Sequence, residues 1–176
     1  MAILRQIAQL GQPVLRRPGE PVSDPADAAV QALIKDMLAT VADANGVGIA
    51  APQIFESRRL FIISSRPSPR YPHAPALPPT IIINPEIVGR SAELDKDWEG
   101  CLSIPGLRGL VPRHRRIEAT WTDGAGRAHQ GELSGFPARV FQHEYDHING
   151  TLFVDRIESG LDLVTEKEYL RLVVAP

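Results

Sequence analysis

Gln142-His143-Glu144-Tyr145-Asp146-His147-Ile148-Asn149-Gly150 is the stretch on which the reading of this chain turns. It closes a segment, Pro137 to Asn149, that carries helix signals at both ends. Ser134 and Gly135 precede the first turn, Pro137 sits at its start, and Gly150 suits the position just past its end. On a helix, residues i and i+4 share one face, so the His143 and His147 imidazoles can reach a single metal ion. Glu144 follows the first of them by about 100° of rotation, close enough for its carboxylate to reach a metal-bound water without ligating. Apolar Val140, Phe141 and Ile148 around the motif favour a buried site. A polar helix face with an Asp/His pair is the competing reading.

Two ligands do not hold a catalytic metal; three protein ligands and an open position are expected. The chain offers several candidates. Phe153 stands where one extended form of the motif would place a third histidine. Glu166 or Glu168 could serve if a downstream helix supplied a carboxylate, although the alternating charges of Thr165-Glu166-Lys167-Glu168-Tyr169 read as solvent-facing. His73, His114 and His129 fall in a proline loop, a basic cluster and a hairpin return. Cys101 lies in Trp98-Glu99-Gly100-Cys101-Leu102-Ser103-Ile104-Pro105-Gly106, beside a glycine that permits close backbone approach and before two turn signals. A lone cysteine can be a small buried hydrophobe or a nucleophile. A thiolate with two imidazoles would give a Cys-His-His site with a free fourth position.

The wider chain agrees with a globular enzyme. Its 176 residues and 19.3 kDa fall within the ~100–200 residues usual for one domain, so a single domain over 1–176 is expected. The apolar fraction of 43% and charged fraction of 23% argue against disorder or a coiled coil. One cysteine excludes internal disulfides and cysteine-rich zinc modules. A net charge of −2 and a pI near 6.2 give no reason to expect DNA or another polyanion. The basic run Arg113-His114-Arg115-Arg116 is expected to be a solvated loop or strand end. Neither a signal-peptide pattern nor an apolar run approaching ~18 residues is seen, so a soluble cytoplasmic protein is expected.

Upstream of the motif, Asp24 as N-cap and Pro25 at the first helical position open a helix to about Ala44. Val30, Leu33, Ile34, Met37, Leu38 and Val41 form its apolar stripe, and Asn45-Gly46 ends it. Arg59–Ser64, Thr80–Asn84 and Arg116–Thr122 read as strands. Asp123-Gly124-Ala125-Gly126 turns the last of these onto Ala128–Leu133. Between the first two lies Arg66–Pro79, with six prolines in fourteen residues, expected as a surface loop. The terminal Leu170-Arg171-Leu172-Val173-Val174-Ala175-Pro176 reads as a strand. Strands followed by a late helix point to an α+β fold.

Three stretches then resemble, in order, the signature motifs of peptide deformylases. They are Gly46-Val47-Gly48-Ile49-Ala50-Ala51-Pro52-Gln53, Glu99-Gly100-Cys101-Leu102-Ser103 and Gln142 through Gly150. No fixed position departs from the family pattern, and the resemblance runs from the first helix to about Ile157. It implies an α+β fold with antiparallel sheets around a central helix carrying the histidines, plus an N-terminal packing helix. It implies a metal-dependent hydrolase that removes the N-formyl group from the initiator methionine of new chains. The metal would be held by Cys101, His143 and His147. It would most often be ferrous iron, with zinc, nickel or cobalt able to replace it. Glu144 would shuttle the proton, while the Gln53 amide and the Leu102 backbone N–H stabilise the formyl oxygen. Backbone groups at Val47, Gly48 and Gly100 would pair with the extended peptide, and Val140 would wall the methionine pocket. Glu99, Gln142 and Asp146 would orient the ligands and fix their tautomers. A transient ribosome contact also belongs to the family picture, but only 26 residues follow Gly150 and they lack a long basic helix. A metallo-endopeptidase using Glu166 or Glu168 and a binding protein without activity are the rival readings.

Overall fold

Leu60-Phe61-Ile62-Ile63 is apolar at every position because both faces of the sheet it belongs to are covered. The computed structural model describes residues 2–68, 71 and 74–174, with backbone only at 173–174. In it this run is strand β2 (Leu60–Ile63). Successive strand residues point to opposite faces. Leu60 and Ile62 accordingly join a cluster with Val30, Leu33, Met37 and Val41 of helix α1 (Ala28–Asp43). Phe61 and Ile63 face the other way, onto Ala138, Val140 and Phe141 of helix α2 (Gly135–Ile148).

The remaining strands are β1 (Gly48–Ala50), β3 (Thr80–Arg90), β4 (Leu94–Cys101), β5 (Ile104–His114), β6 (Arg116–Thr122), β7 (Ala128–Ser134) and β8 (Leu163–Thr165). They form a five-stranded sheet in the order β1-β2-β3-β6-β7 and a three-stranded sheet in the order β4-β5-β8. Every pairing between these strands is antiparallel. A third cluster, including Leu15, Cys101, Ile104, Val111, Leu152 and Phe153, lies against the smaller sheet. The fold is α+β, with α2 central and α1 covering the far side of the larger sheet.

Several sequence expectations need correction. Helix α1 begins at Ala28, not Pro25, because Asp27 is the residue that caps it: its Oδ1 accepts from the N–H of Ala29 at 2.7 Å and Val30 at 3.3 Å. Asp24 instead holds the preceding turn, accepting from Ala26. The helix ends where expected, with Asn45 at φ 51°. β3 runs past Asn84-Pro85 to Arg90, since Asn84 at φ 49° and a register shift against β6 absorb the proline. The β4–β5 hairpin has no counterpart among the expected strands. Its outer half, Leu94 to Asp97, is exposed and charged and carries no apolar alternation. Pro105 and Gly106 lie within β5, and the tight turn is Leu102-Ser103 between the paired Cys101 and Ile104.

At the C-terminal end the expected strand over 170–176 is absent among the described residues. Glu166–Tyr169 is a short helix, α3, capped by Thr165, followed by a wide π turn at Leu170–Val174. Residues 175–176 lie outside the described residues, as does His73 in the proline loop.

Candidate active site

Helix α2 delivers the two histidines, and the β4–β5 turn delivers the thiol. Gly150 closes the helix at φ 76°, where a Cβ would lie 2.9 Å from the Arg16 backbone, so only glycine lets the N-terminal segment pass. One turn apart on α2, the His143 and His147 rings stand 5.1 Å apart. The Cys101 Sγ is 3.2 Å from His147 Nε2. One donor atom from each of Cys101, His143 and His147 lies within 4.8 Å of the others. Soft sulfur with two imidazole nitrogens suits zinc or ferrous iron, and the spacing suits one ion.

The group that the motif places beside this cluster is a buried carboxyl. Glu144 is 3% exposed, and its Oε2 has no hydrogen-bond partner among the described residues. Burial pushes its carboxyl up to about 7, with the charge of His143 opposing that rise. A Cβ at Gly48 would lie 2.5 Å from Glu144 Oε1, so β1 passes against the carboxylate only because this residue is glycine. Gln53, in the turn Ala51–Ile54, accepts from the Ala50 N–H at 2.8 Å. Its Nε2 donates to Ser103 Oγ at 3.1 Å and toward Cys101 Sγ at 3.5 Å. The amide donor is therefore aimed at the ligand cluster.

Behind the ligands lies a buried ionic network that corrects the reading of the basic run at Arg113, whereas the run does fall at strand ends with Arg115 and Arg116 exposed. Arg113 is buried and donates to both oxygens of Glu99, at 2.9 and 3.0 Å, and to Asp146 at 2.6 Å. Arg139 adds a bond to Glu99 at 2.9 Å, and Arg156 pairs with Asp146 at 2.7 Å. Burial would raise the Glu99 carboxyl, but the Arg113 guanidinium and His143 outweigh it and hold it well below the usual carboxylate range. Glu99 Oε2 in turn meets His143 Nδ1 at 2.8 Å, which leaves Nε2 of that ring for an ion. Glu99 thus touches a ligand directly. Asp146 acts through Arg113, and Gln142 grips the His114 backbone from both ends of its amide, at 3.1 and 2.9 Å. Neither Asp146 nor Gln142 bonds a ligand histidine, contrary to expectation.

A cleft opens over the cluster. Val47, Gly48, Gln53, Gly100, Leu102, Val140 and Glu144 all line it. Tyr71, Trp98, Phe136 and Arg139 line it too, unanticipated. Phe136 stands one helical turn before Val140 on α2, a spacing from which it could have been read. Tyr71 comes from the proline loop, where no periodic signal exists. Its hydroxyl accepts from the Gly100 N–H at 3.2 Å and lies 3.3 Å from the Gly100 carbonyl. The Val47 carbonyl accepts from Ser64. The rival third ligands are engaged elsewhere: Glu166 pairs with Arg108 at 2.8 Å and Glu168 with Arg171.

Comparison with known proteins points the same way. The family model described as polypeptide deformylase matches residues 4–161. Peptide deformylase 2 of Nostoc sp. is 57% identical over 170 residues, covering 97% of this chain and 95% of that protein. Among solved structures, the Met-Ala-Ser-bound class I type b peptide deformylase of Acinetobacter baumannii superposes with a TM-score of 0.86 at 42% identity, covering 89% of this chain and all of that one. The enzyme from Thermotoga maritima gives 0.80 at 36% identity, covering 89% and 99%.

Proposed function

The chain belongs to the polypeptide deformylase family, hydrolases that remove the N-formyl group from newly made polypeptides, and from that premise we propose how its cleft performs the reaction. The observation that carries the proposal is the convergence of Cys101, His143 and His147 beside the unpartnered Glu144 Oε2. A divalent ion held by these three residues would polarise the formyl group and lower the pKa of a bound water. Ferrous iron is the ion proposed in the cell, with zinc, nickel or cobalt as replacements in purified protein.

Glu144 takes the proton from the attacking water; a carboxyl pushed to about 7 by burial is well matched to neutral pH. As the C–N bond breaks, Glu144 passes that proton to the departing amine, leaving formate and a free methionine N-terminus. The Gln53 amide and the Leu102 backbone N–H stabilise the charge that gathers on the formyl oxygen. The extended peptide runs along Val47, Gly48 and Gly100, and at Gly100 its backbone replaces the two contacts now made by the Tyr71 hydroxyl. Val140 and Phe136 wall the methionine pocket. Glu99, fixed by Arg113 and Arg139, orients His143, while Asp146 and Gln142 hold the framework. We place the reaction in the cytoplasm, on chains emerging from the ribosome, and any ribosome contact is transient. No helix among the described residues is long and apolar enough to cross a membrane.

Release of formate from formyl-Met-Ala-Ser tests the reading. The protein loaded with ferrous iron or zinc should turn this substrate over, and Glu144→Ala should not. Equal rates in the two proteins would sink the proposed role of Glu144.

A further inference from the structure

Among the described residues, the largest fully buried side chain is an arginine outside the ionic network described above. Arg108 is 0% exposed and sits in the part of β5 where the hairpin ladder opens. Glu99 pairs with Gly109 and Cys101 with Ile104, so Gly100 alone stands opposite the four residues 105–108. The Arg108 guanidinium lies against the resulting gap: a Cβ on Gly100 would come within 2.9 Å of its Cζ, Nε and Nη1. The cation is clamped from two directions. The Tyr71 ring lies 4.7 Å from it and the Tyr169 ring 4.8 Å, while the Glu166 carboxylate accepts from Nη2 at 2.8 Å. Tyr169 in turn meets the cleft residue Trp98 edge-to-face at 5.6 Å.

A buried guanidinium is retained only where charge and ring faces replace its water. Here the Tyr71 ring comes from the proline loop, while the Glu166 carboxylate and the Tyr169 ring come from α3, remote in sequence from all three motifs. Gly100 stands opposite the opened stretch of the ladder, and the guanidinium forms its floor. We propose that Arg108 is a positioning residue that couples α3 to the Gly100 edge of the cleft. Glu166 and Tyr169 thereby set how firmly the substrate residues beyond the first methionine are held. This rests on the reading of Gly100 as a peptide-pairing residue. The formyl group and the methionine lie toward the metal cluster and do not depend on the clamp.

The test compares Tyr169→Leu, Tyr169→Phe and Glu166→Gln with the unsubstituted enzyme on two substrates, formyl-Met-Ala-Ser and formyl-methionine. Calorimetric binding of the product Met-Ala-Ser gives a readout independent of turnover. Loss of one cation–π face should raise KM for the tripeptide and Kd for the product about fivefold, with kcat within about twofold. Formyl-methionine should show no change, and Tyr169→Phe should restore the unsubstituted values because it keeps the ring. Glu166→Gln should behave like Tyr169→Leu. An equal loss on both substrates, a fall in kcat alone, or unchanged product binding in folded Tyr169→Leu would each overturn the coupling. If the unsubstituted enzyme released no formate from either substrate, the functional reading itself would fall, independently of the clamp.

Discussion

Helix α2 has two neighbours of opposite chemistry. Toward the five-stranded sheet it presents Ala138, Phe141 and Ile148, and the Phe141 ring meets Phe61 edge-on at 5.1 Å among Ile82 and Ile117. Toward the three-stranded sheet it presents Arg139, His143 and Asp146, tied to Glu99 and Arg113 by charge-assisted hydrogen bonds, and Gln142, which holds the His114 backbone. The apolar side holds the helix in place without specifying directions, since dispersion and burial depend on area. The ionic side adds direction. Each acceptor on Glu99 is claimed by a particular donor, and one of those donors is a proposed metal ligand. Stability and ligand orientation are thus assigned to different faces of one helix, and they should fail separately.

The largest effect belongs between the two sides. Glu144→Ala should cut formate release by about 10²–10⁴ without loss of bound metal, since the role proposed for Glu144 is to move protons and not to ligate. Metal analysis beside the rate assay checks this. Next is the ionic face. Glu99→Ala leaves Arg113, Arg139 and His143 without their shared acceptor and should cost about 3–5 kcal/mol in urea unfolding. It should weaken metal retention as well. On the apolar face Ile117→Ala, at a residue 1% exposed, should cost about 2–5 kcal/mol by the same measurement. In contrast to Glu99→Ala, it should keep stoichiometric metal. Metal lost from Ile117→Ala, or fully kept by Glu99→Ala, would break the division between the faces.

The smallest effect lies at the outer rim of the ionic side. Asp155 is partly buried, which raises its carboxyl, but Arg16 and the Leu152 N–H outweigh that and hold its pKa below the usual value. A carboxyl depressed in the folded state adds stability above its unfolded pKa, and that stability is lost as pH falls through the folded pKa. The pair is well exposed, so Asp155→Asn should cost under about 1 kcal/mol at neutral pH and nothing once the acid is protonated. Unfolding curves of the two proteins should therefore converge toward low pH. A gap that widened with acid would reverse the assignment.

The same division explains what could be read in advance. The apolar side was legible because hydrophobic periodicity is local: the stripe from Val30 to Val41 and the run Leu60–Ile63 announce their elements. The candidate metal ligands were legible because the His143–His147 spacing puts both rings on one helix face, and the resemblance of Glu99–Ser103 to a family motif singled out Cys101. The ionic side was misread. Arg113-His114-Arg115-Arg116 looks like a solvated cluster, and the partners that bury Arg113 lie 14 and 33 residues away. The charged strand β4 left no alternation to detect, and a terminal run rich in leucine and valine reads as a strand until Thr165 caps a helix and Arg108 receives Tyr169.

By itself, then, the sequence singled out the helix with its two histidines and the carboxylate proposed as proton carrier, because these follow from spacing within a few turns, and a motif resemblance added Cys101 to the proposed ligand set. Only the tertiary structure decided which carboxylate meets a histidine, that Asp146 and Gln142 bond Arg113 and the His114 backbone instead, and that α3 meets Arg108 beneath Gly100. Those are pairings between distant segments. A charged residue carries no local mark of whether water or a partner from elsewhere in the fold will satisfy it.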